Sequence, residues 1–225
     1  METVRKVELD HLVVAASSLE SGSAFVRECL GVEMQVGGRH ERMGTNNLLL
    51  RLGAGTYLEV IAVDPLGIKP ALPRWFGLDF FVGSPRLVHW VVRVTGADLD
   101  GADLDGAELD SVRLEEHGAV QTMSRGALSW RITIPGDGRL PGDGLIPTLI
   151  AWDSGSSDSG FSHPSEVLED RGCELLGLEG SHPEADRIAT RLKSIGVEHL
   201  IRLERGPISL RATLRIASEM KFLAF

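Results

Sequence analysis

Cysteine is nearly absent: Cys29 and Cys173 are the only two in 225 residues. That excludes a disulfide framework, and no zinc-ribbon spacing is present. Cys29 falls on the apolar side of an expected helix and Cys173 opens an expected strand, so both read as reduced apolar thiols. Basic residues are in deficit, 23 Lys and Arg against 32 Asp and Glu, for a net charge of -9. Nucleic acid and anionic membrane are therefore disfavoured as general partners, since both need a basic face. No apolar run is long enough to span a bilayer. The opening "METVRKVELD" lacks the apolar core of a secretory signal, and a cytoplasmic protein is expected. G-x-S-x-G, P-loop and G-x-G-x-x-G motifs are all missing. What remains is an ordinary globular composition, 43% apolar and 24% charged, with chain enough for one large domain or two small ones.

The most informative stretch runs from Val7 to Val63. "VELDHLVVAA" reads as a strand in which Leu9, His11, Val13 and Ala15 share one side. A helix follows. Ser17 and Glu20 stand in the relation of a capping box, Leu19, Phe25, Val26, Cys29 and Leu30 recur near helical spacing, and Gly31 suits the left-handed stop. Three strands then follow in "VEMQVGGRHERMGT", "NNLLLRLGAG" and "TYLEVIAVD", and in the last of them Tyr57, Glu59 and Ile61 share a side. If both shared sides are interior, an imidazole and a carboxylate point into one space.

Residues 65–85 connect this unit to the next. Prolines argue against a packed element there, while Trp75, Phe76, Phe80 and Phe81 argue for a cover over something apolar, a barrel wall or a pocket. Arg74 reads by default as solvated. The second unit spans 86–153 and opens on "RLVHWVVRV", with His89, Val91 and Arg93 on one side. "GADLDGADLDGAELD" repeats a five-residue block three times. It is too short for a solenoid and lacks the closing Glu of a calcium loop, so it reads as a solvated, expanded start to the second helix. "VQTMSRG", "ALSWRITIP" and "GLIPTLIAWD" complete the unit. Residues 154–171 read as a linker. From 172 to 225, "CELLGLEGSH", a helix from Pro183 to Gly196, and three further strands repeat the βαβββ order, with Leu176 opposite His11.

Aligning the first two units sets His11 against His89 and Glu59 against Thr148. If the copies pair about a pseudo-two-fold axis, both imidazoles and the carboxylate converge, with Thr148 at the fourth corner. Such a donor set suits a divalent Fe, Mn, Ni or Zn, which polarises a carbonyl or stabilises an enolate. His40, in "GGRHERMG", is a candidate fourth ligand or general base, or an exposed loop residue. Arg131, Trp152 and Trp75 are candidates to line the same cavity, with a rim ion pair or core packing as alternatives. His163, His182 and His199 have no partner pattern and read as surface residues.

Repeated βαβββ units with His in the first strand and Glu in the fourth resemble the vicinal oxygen chelate superfamily. The closest resemblance is to its glyoxalase-like domain family, in "DHLVVAASSLESG", "GGRHERMGTNNLLLRLGAGTYLEVIA" and "RWFGLD". It implies an α+β fold, a β-cup over 1–153 built from modules 1–64 and 86–153, and a third, degenerate module. It also implies metal ligation by His11, His89 and Glu59, with Glu59 as proton acceptor. The expected activity is a metal-dependent lyase, isomerase or dioxygenase acting on a small oxygen-rich molecule, with a homodimer allowed. The alternative is a metal-free sequestering protein of the bleomycin-resistance type.

Overall fold

The computed structural model describes residues 6–95, 116–126, 128–153 and 162–224. The acidic five-residue blocks, the body of the second expected helix and the first part of the expected linker, 154–161, lie outside them.

The first unit is β1 (Lys6–Ala15), α1 (Leu19–Leu30), β2 (Gln35–His40), β3 (Thr45–Arg51) and β4 (Tyr57–Val63). The helix begins one residue later than its sequence spacing suggests. Ser18 is the N-cap and Ser21, three residues on, completes the capping box, while Gly31 ends the helix at φ 75°. Glu20 instead sits in the first turn, where it favours the helix dipole. The second unit contributes β5 (Arg86–Thr95), β6 (Ala119–Arg125), β7 (Leu128–Ile134) and β8 (Thr148–Trp152).

These eight strands form one sheet in the order β2-β3-β4-β1-β5-β8-β7-β6. In each unit the first strand runs parallel to the fourth, and β1 and β5 meet antiparallel at the centre. The central register pairs His11 with Val91 and Val13 with His89, the pattern a local two-fold requires. Glu59 lies beside Val13, and Thr148 beside Val91. Among the described residues, the strands of the two units are therefore arranged as their sequences align. The outer strands β2 and β6 curl toward each other. Arg42 bridges them, donating to the Thr122 carbonyl at 2.7 Å and the Gln121 amide oxygen at 2.9 Å.

Alternation along the strands divides the interior in two. Leu12, Val14, Leu58, Val60 and Trp90 belong to the core that also holds Val26 and Leu30 of α1. Val13, Ala15, Ile61, Val91, Ile132 and Ile150 belong to the other, which Trp75, Phe76 and Leu78 of the connection close. The connection is thus packed at its centre, around a 3₁₀ segment at Trp75–Phe80. Arg74 is buried rather than solvated, and its guanidinium pairs with Asp79 at 2.6 Å.

After one helical turn, α2 (Pro164–Val167), the third unit is β9 (Cys173–His182), α3 (Ala185–Ser194), β10 (Arg202–Arg205), β11 (Ser209–Ile216) and β12 (Glu219–Ala224). The element order is the expected βαβββ, but the pairing differs. The sheet runs β10-β9-β11-β12, so the first strand lies between the second and third instead of beside the fourth. Periodicity fixes which face of a strand is buried, not which neighbour it takes. The equivalence of Leu176 with His11 lapses with the topology, and Leu176 is exposed. Leu178, Ile188, Leu210 and Leu214 join the core beneath α1, so the two sheets share one apolar interior. No helix among the described residues is long and apolar enough to cross a membrane.

Candidate active site

The cleft lies on the concave face of the large sheet, narrow at its floor and open to solvent on one side. His11 comes from β1, His40 from β2, Asn47 from β3, Tyr57 and Glu59 from β4, and Arg125 from the end of β6. Trp75, Phe76, Trp130 and Trp152 supply flat walls.

At its floor is a chain of three groups. His11 Nδ1 lies 2.6 Å from Asp10 Oδ1, and its Nε2 lies 3.6 Å from Glu59 Oε2. Neighbours on an ideal strand point to opposite faces, but β1 carries a register shift between Leu9 and His11 against β5, and there Asp10 reaches the imidazole beside it. Asp10 is fully buried, and Trp152 Nε1 donates to its second oxygen at 2.9 Å. His163 Nε2 does the same at 3.0 Å, while Ser165 N–H meets its Nδ1, which makes Nε2 the protonated nitrogen. Burial alone would raise the Asp10 pKa, but hydrogen bonds from His11 and His163 more than reverse this and hold the carboxyl well below its ordinary range. Asp10 is therefore an anion at neutral pH. It fixes Nδ1 of His11 as the donor and leaves Nε2 facing Glu59. Tyr57 stacks on the imidazole at 4.7 Å, and burial followed by the charges of Asp10 and Glu59 pushes its phenol pKa well up.

Asn47 joins the floor to the wall. Its amide N–H donates to Glu59 Oε1 at 2.5 Å, and its carbonyl accepts from Arg125 at 3.1 Å and from Gly38 N–H at 2.9 Å. Arg125 also donates to His40 Nε2 at 3.3 Å, while His40 Nδ1 lies 3.1 Å from the Thr45 hydroxyl. Burial, with Arg125 adding to it, brings the His40 pKa down to about 4. The glycines of "GGRH" make this approach possible: a Cβ at Gly38 would lie 2.8 Å from Arg125 Cδ, and one at Gly37 would collide with the Asn47 amide.

Of the residues expected from the sequence, His11, Glu59, His40, Trp75 and Trp152 line the cleft. His89 does not. It is fully buried, with Nδ1 3.1 Å from the Gly144 carbonyl and Nε2 3.0 Å from the Thr148 hydroxyl. The ring of Phe76, a residue held at φ 56°, stands 5.7 Å from it. Burial lowers its pKa to about 3. Thr148 is spent on the same pair, and Arg131 pairs with Asp153 at 3.7 Å outside the cleft. The expected ligand set of His11, His89 and Glu59 is thus not assembled. Among the described residues no three His, Cys, Asp or Glu side chains are grouped to hold a metal ion. Where three do meet, Asp10 with His11 and His163, the carboxylate oxygens accept an N–H from each imidazole. The residues present do not fit a two-histidine, one-carboxylate centre.

Two histidines read as surface residues are buried: His163 on Asp10, and His182 with Nε2 3.0 Å from Asp143. His199 is exposed as expected. Asp10, Asn47, Trp130 and Arg125 were not singled out from sequence; Tyr57 was placed only on the face of Glu59, Phe76 only in the aromatic cover, and His163 only on the surface. Only Asp10, beside His11 in "LDHLVV", carried a signal that could have been read.

Residues 9–196 match the model of the family described as glyoxalase-like domain. No curated protein matches the sequence. Among solved structures, a hypothetical protein from Staphylococcus aureus shares 14% identity at a TM-score of 0.53, covering 84% of this chain and 75% of its own. That likeness shows a shared fold. A methylmalonyl-CoA epimerase from Streptomyces coelicolor, in complex with 2-nitronate-propionyl-CoA, shares 17% identity at a TM-score of 0.39, over 65% of this chain and 95% of its own. The Mycobacterium tuberculosis methylmalonyl-CoA epimerase shares 18% at 0.36, over 64% and 85%.

Proposed function

This chain belongs to the glyoxalase-like domain family, and on that premise we propose that it is a proton-transfer enzyme of isomerase or lyase type acting on a small oxygen-rich substrate. The observation that carries the reading is the Asp10–His11–Glu59 chain opening into an aromatic cleft. An imidazole whose Nδ1–H is held by a buried carboxylate has its Nε2 lone pair fixed in direction. The 3.6 Å between that nitrogen and Glu59 is too long for a hydrogen bond, so Glu59 does not tie up the lone pair that a substrate C–H would approach from the cleft.

His11 Nε2 takes a proton from carbon next to a carbonyl. The imidazolium is then flanked by two carboxylates, Asp10 on one nitrogen and Glu59 beside the other, which stabilise the charge it gains. The proton returns to the same or a neighbouring atom from His11, or from Glu59 if it has passed along the pair. Asn47 holds Glu59 in place through Oε1. Aromatic side chains crowd the cleft, and burial of His11 and Glu59 among them strengthens each of these interactions.

The test is hydrogen exchange at carbon. Phenylpyruvate, whose methylene is acidic and whose ring matches the walls, is incubated with the protein in D₂O and deuterium incorporation is followed by NMR. Catalysed exchange that disappears in His11→Gln and Glu59→Gln is expected. Exchange no faster than buffer, or unchanged in both variants, overturns the reading. Saturable binding without exchange would favour the second reading, a sequestering protein, which the aromatic walls also support.

A further inference from the structure

The cleft holds a cation that no acid neutralises. Arg125 lines it half-buried, and its partners are two neutral acceptors, the Asn47 amide oxygen and His40 Nε2. Among the described residues no acidic side chain forms an ion pair with it. Glu59 is the nearest carboxylate in the wall, and Asn47 lies between them: one end of its amide is spent on Glu59 and the other on Arg125. The charges are thereby kept apart instead of collapsing into a salt bridge. His40, neutral at pH 7, accepts from the same guanidinium nitrogen as Asn47, Nη1.

A second group in the wall lacks a partner. Trp75 is buried and its indole N–H has no acceptor. A buried donor without an acceptor costs about 1–3 kcal/mol, so native structures rarely leave one idle. Trp75 stands edge-on to His40 at 5.0 Å, which sets it beside the group that holds the cation. The remaining walls are flat: Trp130 and Trp152 lie 5.3 Å apart, and Phe76 stacks on Trp75 at 5.5 Å.

Resting on the proton-transfer reading and deepening it, we propose that the substrate class is a flat, unsaturated or aromatic monoanion, its carboxylate or enolate oxygen seated on Arg125 and the Trp75 N–H. Its planar body packs against the exposed edges and faces of the aromatic walls. Its acidic C–H is directed to His11 and Glu59, across the Asn47 amide from the cation. A neutral or dicationic ligand leaves the guanidinium uncompensated in a water-poor slot. A second negative charge meets Glu59 instead.

Three of the four tryptophans, Trp75, Trp130 and Trp152, line the cleft, so tryptophan fluorescence reports binding directly. The protein is titrated with benzoate, cinnamate, 3-phenylpropanoate and phenylpyruvate, and with the methyl ester of each. Saturable quenching by at least one acid, with its ester at least about tenfold weaker, is expected. Arg125→Met should weaken the acids by about tenfold to a hundredfold, the range of a charge-assisted hydrogen bond, and leave the esters unchanged. Arg125→Lys should restore part of the loss. Trp75→Phe, which keeps the ring and removes the N–H, should weaken the acids severalfold. Circular dichroism melting of each variant separates misfolding from lost binding. No saturable binding of any acid, or acids and esters bound alike and equally by Arg125→Met, overturns the assignment. The two proposals fail separately: His11→Gln should bind the acids normally and exchange nothing, whereas Arg125→Met should lose the acids.

Discussion

Replacing Asp10 by asparagine keeps the shape of the side chain and removes its charge. Four donors converge on that carboxylate: His11 Nδ1 at 2.6 Å, Trp152 Nε1 at 2.9 Å, His163 Nε2 at 3.0 Å and an Arg93 amine at 3.4 Å. An amide offers one acceptor oxygen and an NH₂ group, so at least one of these donors must face another. A hydrogen bond to a charged group is worth about 1.5–3 kcal/mol, and removing one member of a buried charged set costs about 3–5 kcal/mol. Asp10→Asn should therefore lose about 3 kcal/mol, which for a chain of this size lowers the melting temperature by roughly 10 °C. Because the Asp10 pKa is depressed in the folded protein, its contribution is complete above the unfolded value of about 3.9 and is lost as pH falls through the folded value. The gap between parent and variant should be full at pH 7 and narrow below about pH 4. Urea denaturation in sodium sulfate buffers, which help keep the acid samples folded, measures both. Deuterium exchange at carbon should fall roughly a hundredfold or more, since His11 loses the group that fixes its tautomer. Equal stability at pH 7, or a gap independent of pH, would refute the argument that this carboxylate is ionised and holds the site.

Three further outcomes follow from the same geometry. His40, His89 and His117 have pKa values brought to about 4, 3 and 4, in each case chiefly by burial. Groups with lowered values stay neutral while the unfolded chain takes up protons, so stability should be greatest above about pH 6.5 and fall toward pH 4. The slope should reach up to about 1.4 kcal/mol per pH unit for each group, and urea midpoints that stay level from pH 7 to pH 5 would contradict this. His89→Gln should cost about 1–3 kcal/mol by leaving the Gly144 carbonyl or the Thr148 N–H unsatisfied, yet leave carbon exchange within twofold. A matching loss of exchange would show that His89 acts on the substrate. Gly38→Ala should displace the flexible Arg125 stem and weaken aromatic acids severalfold with little change in melting temperature, as followed by tryptophan fluorescence.

The sequence carried much of the frame. The period of two in "VELDHLVVAA" and "TYLEVIAVD" put His11 and Glu59 on one face, and the structure brings them to 3.6 Å. The match of "LDHLVV" with "LVHWVV" identified two equivalent strands, and the register of β1 against β5 has the symmetry that match requires. These features are legible because strand alternation and helix period are local: each needs only the residues beside it in the chain.

What the sequence could not decide depends on residues far apart in the chain. His89 occupies the position equivalent to His11, yet Phe76 from the connection covers it, and Gly144 and Thr148 take both its nitrogens. Alternation alone would turn Asp10 away from His11, and only the irregular register against β5 lets it serve as the imidazole's partner. Arg125 and His163 enter the site from the end of β6 and from the segment before β9, with no spacing that would mark either. The third unit shows the same limit at the level of topology, with the element order of a module and the pairing of something else. Periodicity determined which faces are apolar and which two strands are alike. Which buried histidine is left with a free nitrogen was decided by side-chain volume and hydrogen-bond partners that meet only after the chain has folded.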